Sequence, residues 1–157
     1  MANERSRQTT KREHGGTQLC YTTDLRTHRG MVRQSNQDVG EVFTLPEGSR
    51  FPGSLMLVAA DGMGGQNAGD VASETATREL KKYLSANSEH DQTGSKPAIN
   101  KLLTDAVRHA NSMVNDQAKI PEYFRMGTTL VVAMITEDIV TVANVGDSRC
   151  YLYRDNV

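Results

Sequence analysis

Residues Leu55 to Ser73 read LMLVAADGMGGQNAGDVAS, and the fold turns on how this stretch is read. Ser54 to Ala60 is apolar without alternation, which predicts a buried strand. Asp61 ends it, and Gly62, Gly64, Gly65 and Gly69 follow. From Asp70 to Ala86 the spacing of Ala72, Ala76, Leu80 and Leu84 predicts a helix, with Asp70 where an N-cap belongs. Glycine between a strand and a helix is the arrangement that cradles phosphate, yet a carboxylate at its mouth repels phosphate. Gly64 and Gly69 have the four-residue gap of a P-loop, but Asp70 and Val71 stand where lysine and a hydroxyl residue are required. The dinucleotide fingerprint fails too, because Asn67 falls where Gly62-Met63-Gly64 needs its third glycine. A cation remains. Asp61 has a rigid mount, Gly62 leaves its carbonyl unobstructed, and hard divalent cations take carboxylate and carbonyl oxygens. For the loop by itself, a plain Asp-Gly turn is the competing reading.

Outward from this loop, Leu19 to Asp24 and Asp38 to Leu45 read as short strands, and Ser85 to Pro97 as a polar connector. Pro97 to Gln117 carries Ile99, Leu102, Leu103, Ala106, Val107, Ala110, Met113 and Val114 at helical spacing. After Pro121 the period changes to that of strands. These are predicted over Thr128 to Thr136, Ile139 to Val145 and Arg149 to Tyr153, with turns at Glu137-Asp138 and Gly146-Asp147. Two consecutive helices between groups of hairpin-linked strands predict an α+β fold with an antiparallel sheet covered by helices.

The chain of 157 residues suits one domain, and its net charge of −1 gives no general attraction to nucleic acid or anionic membrane. The first sixteen residues, MANERSRQTTKREHGG, are polar, with Arg5, Arg7, Lys11 and Arg12 and no apolar face. They predict a solvated, disordered tail over 1–16 ahead of a domain over 17–157, with a basic docking arm as the alternative. Without an apolar signal core or a stretch of about 18 apolar residues, neither export nor membrane insertion is expected. Cys20 and Cys150 lie far apart, as in a reducing compartment, so a cytoplasmic protein is expected. Cys20 to Arg26 has the C-x5-R spacing of cysteine-dependent phosphatases. It lacks glycine, and Thr22, Thr23 and Asp24 disfavour an anion-wrapping loop. His14, His28, His90 and His109 form no metal-binding spacing.

Four motifs in order carry a resemblance. They are Arg29-Gly30-Met31-Val32-Arg33-Gln34-Ser35-Asn36-Gln37-Asp38; the Asp61-Gly62-Met63-Gly64-Gly65 loop continuing to Ala68-Gly69 and Ala72-Ser73; Met126-Gly127-Thr128-Thr129; and Asn144-Val145-Gly146-Asp147-Ser148-Arg149. Together they resemble the metal-dependent protein phosphatases of type 2C, in the bacterial form with Met in the loop, over about Thr23 to Asp155. The resemblance implies an αββα architecture, an antiparallel β-sandwich flanked by helices. It also implies hydrolysis of phosphoserine and phosphothreonine in proteins by a water activated between two divalent ions, manganese or magnesium, with a third ion in bacterial-type members. Asp61 matches the carboxylate that bridges both ions, the Gly62 carbonyl a ligand of one, and Asp38 an acid acting through bound water. Arg33 matches the guanidinium that holds the substrate phosphate, and Asp147 an acid for the third ion. No side chain matches a catalytic acid, since Met63 stands where the eukaryotic form has histidine, and Gln37 stands where many members have a glutamate. Implied partners are phosphorylated Ser/Thr proteins together with a Ser/Thr kinase and its substrates, and the domain when complete is expected to be a monomer.

The resemblance also calls for two further aspartates, in Ser-Asp-Gly and Asp-Asn motifs, that have no match here. Asp155-Asn156 has the letters of the second but directly follows the Gly-Asp-Ser-Arg strand. The expectation is a C-terminally incomplete phosphatase domain, inactive or nearly so by itself. A non-catalytic module of the same fold is the alternative.

Overall fold

The computed structural model describes residues 4–14, 17–33, 35–64, 68–86, 95–136 and 139–155. Its centre is strand β4, reached after β1 (Glu4–His14), β2 (Thr17–Thr27) and β3 (Asp38–Thr44). β4 spans Leu55–Met63 and pairs antiparallel with β3 on one side. On its other side lie β5 (Gly127–Thr128) and β6 (Leu130–Thr136), and β6 in turn pairs with β7 (Ile139–Val145). Helices α1 (Ala68–Ala86) and α2 (Lys96–Gln117) intervene between β4 and β5. The α+β class and the helix-covered antiparallel sheet are therefore as the periodicities require.

The sheet divides its side chains by alternation. Met56, Val58 and Ala60 of β4 and Leu130, Val132 and Met134 of β6 face the helices and join one core with Leu80 and Leu84 of α1 and Ile99, Leu102, Leu103, Ala106 and Ala110 of α2. A second cluster, Ala68, Ala72, Ala76, Val114 and Met126, closes the start of α1 against the segment leading into β5. Small alanines there let helix and loop approach closely. On the opposite sheet face, β2 packs alongside, and Leu25 sits so tightly on Gly40 that a Cβ added to Gly40 would lie 2.4 Å from Leu25 Cδ1.

Three expectations change. Glu4–His14 is a strand hydrogen-bonded along β2 from Glu4↔Thr27 to His14↔Thr17, so paired backbone stands where disorder is expected, while Ser6 to Thr9 are exposed to solvent. Its threonines favour extended backbone, and pairing satisfies backbone groups that polarity alone left open. Asp70 is not the cap of α1: the helix begins at Ala68, placing Asp70 in the first turn, where a carboxylate is favoured by the helix dipole and accepts a hydrogen bond from Ser35 Oγ at 3.4 Å. Arg149–Tyr153 belongs to no strand, because β-favouring residues form one only against a partner, and none lies beside it among the described residues. The expected turn at Glu137-Asp138, most of the connector Ser85–Pro97, and Gly65 of the glycine loop lie outside the described residues.

Candidate metal and phosphate site

Asp38 opens β3, Asp61 lies near the end of β4, and the register sets them directly opposite each other. Because Val58 and Ala60 point into the helical core, Asp61 is carried on the other face with Leu57 and Ala59. β4 continues past Asp61 through Gly62 and Met63, which pair with Thr128 and Gly127. The carboxylate therefore stands on a strand held from both sides, which is stiffer than the strand end expected from the sequence.

The main chain at Asp61 is densely bonded. Asp61 N–H donates to Thr129 Oγ1 at 3.0 Å, while Thr129 N–H and Thr128 Oγ1 donate to Asp61 O at 2.9 and 3.1 Å. Gly62 N–H donates to Gln37 O at 3.0 Å. Gly62 is glycine for a second reason besides an open carbonyl: an added Cβ would lie 2.1 Å from Gly69 O and 2.9 Å from Gln37 O. The start of α1, the end of β4 and the residue before β3 thus meet at two glycines. The Gln37 amide packs on Gly69, where an added Cβ would be 2.8 Å from its Cδ. Upstream, Asn36 Nδ2 donates to Thr27 Oγ1 at 2.7 Å and Asn36 Oδ1 accepts from Asp38 N–H at 3.3 Å, fixing the entry to β3.

Asp38, Asp61, Gly40, Arg26, Thr27 and Ser148 line a cleft of about 300 Å³. Within it, burial raises the Asp38 carboxyl above its ordinary value. The charge of Asp61 and a hydrogen bond with it push the same way, and the Arg33 cation opposes them. A cation between two facing carboxylates relieves the repulsion that raises Asp38. The donor chemistry, carboxylate and carbonyl oxygen without thiolate or imidazole, fits a hard divalent ion. Arg33 is exposed in the loop before β3, close enough to act on Asp38. Asp147 is exposed in the bend after β7, and among the described residues no group of three or more His, Cys, Asp or Glu comes together, so it stands apart from the carboxylate pair.

Sequence reasoning gave no role to Thr129 or Ser148, whose hydroxyls are 2.6 Å apart. Their motifs were visible; the contact between them was not, since it joins segments far apart in the chain. Cys20 and Cys150 are free and exposed. His109 sits 3.9 Å from Glu79 and against Tyr83, in contacts of the helical layer.

A carboxylate pair on an antiparallel sheet, bordered by two close-packed glycines and the Arg33 loop, offers oxygen ligands for a hard cation with a guanidinium nearby. The family model described as "Protein phosphatase 2C" matches residues 29–156, and the chain belongs to that family. It is 37% identical over 139 residues to the serine/threonine phosphatase stp of Listeria monocytogenes, covering 85% of this chain and 50% of that protein. The serine/threonine phosphatase of S. agalactiae superposes with a TM-score of 0.65 at 26% identity, covering 94% of this chain and 50% of that one. The catalytic domain of the serine/threonine protein phosphatase PstP, solved with two manganese ions, gives a TM-score of 0.60 at 27% identity, covering 98% and 52%. The chain thus spans about half the length of the curated Listeria relative it matches. No helix is long and apolar enough to cross a membrane among the described residues.

Proposed function

We propose that this chain carries the metal- and phosphate-binding elements of a protein serine/threonine phosphatase. The observation that supports the reading most is the cross-strand facing of Asp38 and Asp61 at the mouth of the cleft. Asp61, the Gly62 carbonyl and Asp38 would hold two divalent ions, manganese or magnesium, and Asp147 a third. Such ions, when bound, lower the pKa of water and neutralise phosphate charge. The protein's own part is to fix the oxygens, present Asp38 and Asp61 together to the cations, and orient the substrate. Arg33 is the group for the last task, since a guanidinium fork matches two phosphate oxygens. No side chain is assigned a covalent or acid role. Substrates would be cytoplasmic proteins phosphorylated on Ser or Thr by a kinase.

The test is manganese titration with turnover of a phosphothreonine peptide by the domain completed C-terminally and by its Asp61→Ala variant. Loss of both in the variant is the expected outcome; near-normal turnover with manganese in Asp61→Ala would sink the assignment. A second reading, a phosphoprotein-binding module, is favoured by the meeting of only two carboxylates among the described residues. Phosphopeptide binding without turnover in the completed domain would select it.

A further inference from the structure

Thr129 lies between β5 and β6 and is 2% exposed. Its Oγ1 accepts from Asp61 N–H at 3.0 Å and is 2.6 Å from Ser148 Oγ. A threonine hydroxyl has one proton and two lone pairs. With one lone pair on Asp61 N–H, sending the Thr129 proton to Ser148 Oγ leaves no buried donor unmatched. The Thr129 methyl is used as well. Gly146, at φ +99°, comes so close that an added Cβ would lie 2.8 Å from Thr129 Cγ2. Ser148 O accepts from Asn144 Nδ2 at 2.8 Å, which closes the bend on itself. One buried side chain therefore touches both the main chain that carries Asp61 and the bend that carries Asp147. A residue needed only to fill space would require the shape of Thr129 and neither of its hydrogen bonds.

We propose that Thr129 is a positioning residue of the metal site, its hydroxyl holding the Asp61 strand and the Gly146–Ser148 bend in one register. β4 and the bend after β7 are joined through β6, with no direct backbone pairing between Asp61 and Asp147, and the Thr129 hydroxyl adds the direct side-chain link at the site end of the sheet. The inference rests on the reading of Asp61 as a metal ligand.

Thr129→Val keeps the shape and removes the hydroxyl; Thr129→Ser keeps the hydroxyl and removes the methyl. Both are compared with the parent chain and with Asp61→Asn, by manganese titration calorimetry and by residue-resolved amide hydrogen exchange in chelator. Thr129→Val is expected to weaken manganese binding by roughly 10- to 100-fold, the range for groups that orient metal ligands. It should also speed exchange of the Asp61 amide while α1 and α2 amides stay as protected as in the parent. Thr129→Ser should restore most of both. Ser148→Ala, which removes the partner without touching the core, should act in the same direction by less, and it decides the matter should Thr129→Val not fold. Parent-like manganese affinity and Asp61 protection in Thr129→Val overturn the proposal, as does failure of Thr129→Ser to rescue. If the parent binds no manganese, or Asp61→Asn binds it normally, the metal reading fails on its own. The exchange data then decide whether the hydroxyl fixes the register, and unchanged protection overturns that too.

Discussion

Asp38 is the residue whose environment conflicts most with its chemistry. Its carboxyl is held above the usual range by burial and by facing Asp61. A raised carboxyl pKa means that the folded state binds the proton more tightly than the unfolded chain. The associated stability is complete below the ordinary value, and it is lost as pH rises through the raised one. At neutral pH the metal-free chain therefore carries two facing negative charges at a stability cost. Asp38→Asn is expected to raise the melting temperature at neutral pH in chelator, with the difference vanishing in acid, while weakening manganese binding. An Asn variant that melts lower at neutral pH would refute this. By the same linkage, manganese must displace the proton, so its affinity should climb with pH through the carboxylate range. Arg33 makes the complementary prediction. Arg33→Ala should weaken a phosphothreonine peptide's affinity by about 1.5–3 kcal/mol, roughly 10- to 150-fold, with manganese affinity little changed. The reverse pattern in calorimetry would assign Arg33 to the metal.

At the scale of elements, the site is built where β4, the start of α1 and the entry to β3 cross at Gly62 and Gly69. Sequence alone presents Gly62 as a residue that leaves its carbonyl unobstructed and Gly69 as part of a loop with P-loop spacing. The packing shows them as points where two backbones touch, which only a residue without Cβ permits. Gly69→Ala would bring Cβ within 2.8 Å of the Gln37 amide and 3.0 Å of Gly62 C. It should cost about 1–3 kcal/mol by overpacking and weaken manganese binding with it. Gly48→Ala, where nothing lies within 4 Å, is the control, and urea unfolding measures both. The core is a separate determinant. Leu80 of α1 is fully buried against β4 and α2, and Leu80→Ala should cost about 2–5 kcal/mol without moving the site. Both helices were legible to within two residues because their apolar stripes are long and regular. The extension of β4 through Met63 was not, because Gly62 and Met63 are strand only through pairing with Gly127 and Thr128.

For the molecule as a whole, the two faces of the sheet differ. One is sealed by helices. Along the other face and the β7 edge, Val140 and Val142 are 57% and 44% exposed, and Tyr151, Leu152 and Tyr153 stand out beyond β7. Among the described residues β7 has no second partner strand, and an open strand edge beside apolar surface favours pairing with another chain. Light scattering of this 157-residue chain should therefore show concentration-dependent self-association, reduced by the pair Val140→Lys and Val142→Lys. Equal association in the charged variant would show that another surface is responsible.

The sequence by itself determined the elements whose signal is local: the buried strand at Leu55, the two amphipathic helices, the β6–β7 hairpin, and the failure of the glycine loop to match either phosphate-binding fingerprint. Periodicity and glycine chemistry act within a few residues, so they survive without a fold. Only tertiary structure decided that Asp38 faces Asp61, that Gly62 touches Gly69, and that Thr129 joins Asp61 to Ser148. Each of these depends on strand register or on the seating of a helix end. Register is settled by which face of each strand is buried in the common core, and no single segment carries that information.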